Sequence, residues 1–278
     1  MLQMQDISSH DYQRFKTFLE QACGIILGEG KQYLIASRLT RLLRDENIAN
    51  LSDLMLSIER GHPRHLRDAV VDAMTTNETS WFRDGVPFET LAQHVFPEFD
   101  AKRTGPIRIW SSACSSGQEP YTISMIISEY CRKQLSSQLA QSQIMATDIS
   151  GSILAEAKRA EYEDVALGRG LSSNRRQQFF TKQDTCWRVS DDIRRRVSFR
   201  EQNLLQGFAA LGRFDIIFCR NVLIYFSAER KKDILKRMAQ SLNRGGYLFL
   251  GASETISGYS DAFESVRTPF STIYRRKD

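Results

Sequence analysis

The sequence predicts an α/β protein: a doubly wound, mostly parallel sheet behind a small all-α domain, with an antiparallel β-hairpin subdomain inserted late. Three observations carry this. Residues 1–76 show apolar side chains at helical spacing only. From Ile107 onward, short apolar runs alternate with amphipathic helical stretches, as β-α units sharing a parallel sheet do. The alternation then breaks between Ala160 and Asn203, where short β-type runs are separated by polar turns.

The elements follow in order. Ser8-Ser9-His10-Asp11 is a capping box that opens a first helix, with Tyr12, Phe15, Phe18 and Leu19 inward. Gly28-Glu29-Gly30 breaks it. A second helix runs from Tyr33 to Leu43; Ile35, Leu39, Leu42 and Leu43 share one face, and Arg38, Arg41 and Arg44 lie off it. Asn50 or Ser52 caps a third helix through Ile58. Gly61-His62-Pro63 ends that helix and starts a fourth, with Pro63 near its first position. Ile107–Ala113 is the first strand, Glu119–Leu135 a helix, and Ile144–Thr147 a strand closed by Asp148. Ser150-Gly151 leads a helix through Lys158. Trp187–Val189 and Arg196–Phe199 form the inserted hairpin, and its turn region Thr181–Cys186 lacks glycine. Phe214–Cys219 is apolar throughout, as a buried parallel strand is. Ser227 caps a helix to Leu242 that Asn243-Arg244-Gly245-Gly246 stops. Tyr247–Gly251 is a strand, and Thr272–Arg275 reads as an edge strand. The expected organisation is a helical domain over 1–76, a linker over 77–106, and the sheet domain over 107–278. The insertion falls at about 170–200.

Composition excludes several classes. With 41% hydrophobic and 26% charged residues the chain is an ordinary globular one, and no apolar run approaches the ~20 residues of a bilayer span. The first fifteen residues lack the charged-then-apolar order of a leader, so the expected location is cytoplasmic. Five scattered cysteines with no C-x-x-C, and four scattered histidines, indicate neither disulfides nor a metal. The net charge of +5 is not an N-terminal arm: residues 1–80 carry a net −2, and the basic excess sits within 158–200.

In open α/β sheets, ligands bind beyond the carboxyl ends of the strands. Those ends carry Ser111–Glu119, Asp148, Asn203-Leu204, Arg220-Asn221 with Tyr225, and Ala252-Ser253-Glu254. The first loop is small and close-fitting, but it has one glycine, Gly117, and an acidic Glu119 where a phosphate would need donors. Asp148 suits ribose hydroxyls, yet it lies 31 residues beyond Gly117 rather than ~20. NAD is disfavoured. A ribose-bearing, cationic, phosphate-free ligand fits, and S-adenosylmethionine has those properties.

Five segments then carry a resemblance. TTNETSWFRD (75–84), SSACSSGQEPYTISM (111–125), ATDIS (146–150), QNLL (202–205) and CRNVLIYF (219–226) resemble the chemotaxis protein-glutamate O-methyltransferases, the CheR family. The resemblance implies a Rossmann-like class I S-adenosylmethionine-dependent methyltransferase fold. It implies methyl transfer to glutamate carboxylates of methyl-accepting chemotaxis receptors, giving glutamyl methyl esters and S-adenosylhomocysteine, with no metal. Asn77, Thr79 and Arg83 would fold over the cofactor. Glu119 would take its ammonium and Asp148 its ribose, Asn203 and Leu204 would flank the adenine, and Arg220 and Asn221 would floor the methyl site. Arg83 and Tyr225 would orient the accepting carboxylate, and Arg38, Arg41 and Arg44 would face the receptor's acidic helical bundle. The chain is expected to be a monomer that uses no receptor-tail tether, binds no nucleic acid and is not embedded in a membrane. Two other readings remain: a nucleic-acid methyltransferase, from the basic run Arg194–Arg196, and a non-catalytic S-adenosylmethionine-binding module.

Overall fold

A computed structural model describes residues 7–63, 65–102 and 105–277. The first six of the fifteen residues over which the absence of a leader is read lie outside it, as do 103–104 of the expected linker. The helical segment comprises α1 (Ser9–Cys23), α2 (Gln32–Asp45), α3 (Leu51–Arg60) and α4 (His65–Met74). Its caps are the expected ones. Ser8 accepts from the Asp11 amide at 3.0 Å, and Asn50, rather than Ser52, accepts from the Asp53 amide at 2.9 Å. Pro63 stands two residues ahead of α4. Tyr12, Phe15, Leu19, Ile35, Leu39, Leu54, Leu66 and Val70 make a closed core of their own.

The remaining helices are α5 (Val86–Thr90), which runs through a π-helical turn into α6 (Phe96–Lys102), then α7 (Gln118–Lys133), α8 (Gly151–Arg159), α9 (Asp164–Leu167), α10 (Ser173–Phe179), α11 (Asp191–Arg194) and α12 (Ala228–Ser241). The strands are β1 (Arg108–Ser112), β2 (Gln143–Asp148), β3 (Glu161–Tyr162), β4 (Phe180–Lys182), β5 (Trp187–Val189), β6 (Val197–Glu201), β7 (Phe214–Cys219), β8 (Leu242–Leu250), β9 (Phe263–Arg267) and β10 (Thr272–Arg276). Seven of them form one sheet in the order β6-β2-β1-β7-β8-β10-β9. The pairs among β6, β2, β1, β7 and β8 are parallel, and β10 runs against both its neighbours. Side chains alternate across the pleat. Ile109, Ile216, Phe218 and Phe249 therefore pack under α5–α7, while Trp110, Ile217, Cys219 and Leu248 pack against α12. Phe218 and Phe249 stack at 4.4 Å, and truncating either to alanine would cost about 3–5 kcal/mol.

Three expectations need correction. Val197–Glu201 is not the second arm of a hairpin; it pairs in parallel with β2 as an edge of the main sheet. Trp187–Val189 instead pairs with β4 and β3 in a separate antiparallel sheet. Thr272–Arg276 is an inner strand, and β9 is the edge. Gly245-Gly246 does not cap α12: Leu242 is already extended, and the chain passes directly into β8. Trp81, Phe82 and Phe88, which follow the helical segment, do not join its core. Trp81 is buried edge-on against Tyr162 and Phe180, and Phe82 and Phe88 lie over the sheet near Phe218.

Candidate active site

The carboxyl ends of β1, β2 and β7 open on a cavity of about 260 Å³ whose far wall is the helical segment. The turn after β1 places the first contacts. Ala113, Ser115 and Gly117 all adopt left-handed φ, of 55°, 50° and 94°. A side chain at Gly117 would be strained, and its Cβ would press to 3.1 Å against Tyr121 and Tyr162. The left-handed turn at Ser115 aims its N–H at Asp148 Oδ2, 2.8 Å away; the Ser150 N–H donates to Oδ1 at 3.1 Å. Ser150, not Asp148, caps α8. Asp148 is only 6% exposed. Burial pushes its carboxyl up, outweighing the amides of Ser150, Ser115 and Ile149 that pull it down.

Glu119 stands in the first turn of α7. Ser111 Oγ donates to Oε1 at 2.8 Å, and Arg220 Nη1 donates to Oε2 at 3.0 Å. Burial raises this carboxyl too, against the opposing pull of Arg220 and Ser111. Arg220 is almost wholly buried. Its Nη2 donates to the Arg83 carbonyl at 2.8 Å and to Asp84 Oδ2 at 2.7 Å. One guanidinium thus ties Glu119 to the segment that crosses the cavity.

That segment, residues 75–85, is fixed at both ends. At its start, Arg38 donates to the carbonyls of Met74 and Thr75 and, at 2.9 Å, to Thr76 Oγ1. Mid-way, Ser115 Oγ donates to the Asn77 carbonyl at 2.8 Å. At its end, the Trp81 N–H donates to the Arg169 carbonyl at 3.0 Å. Asn77, Thr79 and Arg83 all border the cavity, and Arg83 Nη1 donates to the Glu78 carbonyl at 2.9 Å.

After β6, Asn203 and Leu204 line the opposite side, and Asn203 Nδ2 reaches across to the Ala22 carbonyl of α1 at 2.8 Å. After β7, Asn221 and Tyr225 complete the wall. Asn221 is left-handed, φ 57°, and the turn is held by Glu254, which sequence reasoning placed at a strand end without giving it a role. The Glu254 carboxylate accepts from the amides of Asn221 and Gly251 at 2.7 Å, Val222 at 2.9 Å and Ile224 at 3.3 Å. Gly251 is needed there because a Cβ would meet Glu254 and Asn221 within 2.9 Å.

Of the thirteen residues singled out from the sequence, Asn77, Thr79, Arg83, Glu119, Asp148, Asn203, Leu204, Arg220, Asn221, Tyr225 and Arg38 meet at this cavity. Arg38 does so through its grip on residues 74–76, not from an outward basic face. Arg41 and Arg44 lie outside on α2, with side chains 86% and 74% exposed, both against Asp45.

The donor set argues for one kind of ligand. Among the described residues no cluster of cations lies at the start of α7 to hold phosphate; Glu119, paired to Arg220, stands there, and Asp148 closes β2 beside the same cavity. These residues fit a cationic, ribose-bearing group. With five parallel strands and β10 reversed beside β8, the architecture is that of class I S-adenosylmethionine-dependent methyltransferases. Comparison with known proteins narrows the class. Residues 77–271 match the description "CheR methyltransferase, SAM binding domain" and residues 10–75 "CheR methyltransferase, all-alpha domain". The chain is 52% identical to chemotaxis protein methyltransferase Cher2 of Pseudomonas putida over 96% of this chain and 98% of that one. It is equally identical to chemotaxis protein methyltransferase 1 of Pseudomonas aeruginosa, with the same coverage, and to the chemotaxis protein methyltransferase of Vibrio parahaemolyticus, over 98% of each. The chain belongs to the CheR methyltransferase family.

Proposed function

We propose that this enzyme transfers a methyl group from S-adenosylmethionine to glutamate side chains of methyl-accepting chemotaxis receptors, giving glutamyl methyl esters and S-adenosylhomocysteine. One observation carries the reading: Asp148 and Glu119 converge on a single cavity that the 75–85 segment crosses and the helical segment closes. The proposed unit boundaries are 1–76, 77–106 and 107–278, with the insertion at about 170–200.

S-adenosylmethionine supplies an electrophilic methyl group on a sulfonium. The protein's own part is binding and alignment. Asp148, held rigid by two amides, takes ribose hydroxyls, and Glu119 takes the ammonium. Asn203 and Leu204 border the adenine, Asn77 and Thr79 cover the ligand, and Asn221 floors the methyl site. Arg220 sets the position of Glu119. The accepting glutamate, with an ordinary pKa of ~4.3, is ionised at neutral pH, so no general base is needed. Arg83 and Tyr225 orient that carboxylate, without a bidentate clamp that would draw off its electron density. Excluding water strips the carboxylate of solvent that would blunt its attack. Arg41 and Arg44 face the acidic receptor bundle.

The enzyme acts as a cytoplasmic monomer in this reading; no described helix is long and apolar enough to cross a membrane. It uses no receptor-tail tether, because the turn between β4 and β5 is short and lacks glycine. The test is incubation with labelled S-adenosylmethionine and membranes bearing chemoreceptors. Base-labile label on the receptor is expected, and its absence would sink the proposal.

A further inference from the structure

The cavity's mouth has a composition its chemistry does not call for. Among the described residues seven large apolar side chains are exposed; one of them, Ile26, lines this opening, and two more, Tyr33 and Ile224, directly precede residues that line it, Leu34 and Tyr225. Ile26 is 45% exposed and lines the cavity, and its N–H donates to the Tyr225 carbonyl at 3.0 Å. Ile224, 48% exposed, precedes Tyr225 and is fixed by the Glu254 carboxylate. Tyr33, also 48% exposed, stands next to Lys31, whose ammonium lies 5.5 Å from its ring and which lines the cavity. Scattered exposed apolar residues mean little, but grouping around an opening marks a contact surface.

The lip also continues into a track. Tyr33, Ser37, Arg41 and Arg44 follow helical i, i+4, i+8, i+11 spacing and are all exposed, so they share the outer face of α2. That face runs about 16 Å, from the mouth to the exposed arginines. We infer that Ile26, Tyr33 and Ile224 form an apolar lip that anchors the substrate segment. The occupant is an acidic amphipathic helix with an apolar side chain beside the target carboxylate. Its acidic stretch lies along Arg41 and Arg44, and its apolar residue seats on the lip while the carboxylate enters between Lys31 and Arg83. The inference rests on the receptor-methylating reading and adds to it the feature that selects among carboxylates: apolar neighbours, not charge alone.

The experiment compares wild type with Ile224→Ser, Tyr33→Ser and their combination, alongside the apolar controls Ile224→Leu and Tyr33→Phe. Initial rates of receptor methylation give KM and kcat, and calorimetry gives affinity for S-adenosylhomocysteine. The serine variants should raise receptor KM about tenfold, with kcat and ligand affinity within twofold. The controls should stay near wild type. The defect should persist in high salt, where any contribution of exposed arginines is screened. Unchanged KM in the double variant, or a loss confined to kcat, would overturn the lip while wild-type labelling keeps the methylation reading intact. No label with wild type would remove both.

Discussion

Glu119 and Asp148 hold their charges at a cost, and that cost has a sign. Burial places both carboxyls above the ordinary range near ~4. In the window just above that range, the folded, ligand-free protein holds protons that the unfolded chain has released. The stability these groups contribute is therefore complete below the unfolded value and lost as pH rises through the folded one. A cationic ligand prefers the ionised form, so its affinity should rise across the same window and its binding should expel protons. Calorimetry with S-adenosylhomocysteine in two buffers of unlike ionisation enthalpy checks this. The enthalpies should diverge just above the ordinary carboxylate range and converge as the pH is raised further; agreement throughout would contradict the coupling. Asp148→Ala removes the acceptor itself and should weaken ligand binding roughly tenfold to a hundredfold, about 1.4–2.7 kcal/mol. Arg83→Ala and Tyr225→Phe should act differently, lowering turnover while ligand affinity stays within about threefold. Turnover at the wild-type level would take both out of the mechanism.

At the scale of elements, the site is made of turns that one side chain each holds in place. The turn after β7 depends on Glu254, which accepts from four backbone amides. Glu254→Ala strands those donors in a part-buried turn. It should cost about 3 kcal/mol and lower both Tm and kcat, whereas Glu254→Gln should recover part of each. Thermal melts beside the methylation assay decide it; a melt unchanged from wild type would mean the turn holds itself. This residue also shows where reading the sequence stops. Phe214–Cys219 was legible because a strand buried on both faces is apolar throughout, and the caps at Ser8 and Ser227 because capping is local. The loop after β1 was legible because small residues and one glycine mark a tight turn at a strand end. Glu254 was not, since three of its four partners lie some thirty residues away and all are main-chain atoms that carry no side-chain signature. Val197–Glu201 was misplaced for a similar reason: its partner β2 lies about fifty residues upstream, and a half-buried edge strand reads much like a hairpin arm. Arg220 was expected at the cavity, but its grip on Asp84 and the Arg83 carbonyl depends on a chain crossing that no local pattern encodes.

At the scale of the molecule, the cavity exists because the helical segment sits on the strand ends. Among the described residues three hydrogen bonds cross that junction: the Ile26 N–H on the Tyr225 carbonyl, the Asn203 amide on the Ala22 carbonyl, and Ser152 Oγ on Asp72 Oδ2 at 2.5 Å. Between the first two lies Gly24, which ends α1 in a left-handed turn, φ 81°. A Cβ at that position would overlap the Phe226 ring. Gly24→Ala therefore tests whether ligand binding belongs to the sheet alone or to the junction. The substitution leaves Asp148 and Glu119 untouched, but it strains the turn and forces the α1–α2 loop away from the β7 turn. A ligand at a hundred times its Kd stabilises a protein by about 2.7 kcal/mol. If the junction forms half of the site, Gly24→Ala should weaken S-adenosylhomocysteine about tenfold and shrink the ligand-induced rise in Tm by roughly 1.4 kcal/mol in equivalent free energy. The ligand-free melt sets the baseline against which that rise is read, so a general loss of stability does not mimic the effect. A full-sized rise in the variant would show that the strand ends bind the ligand unaided.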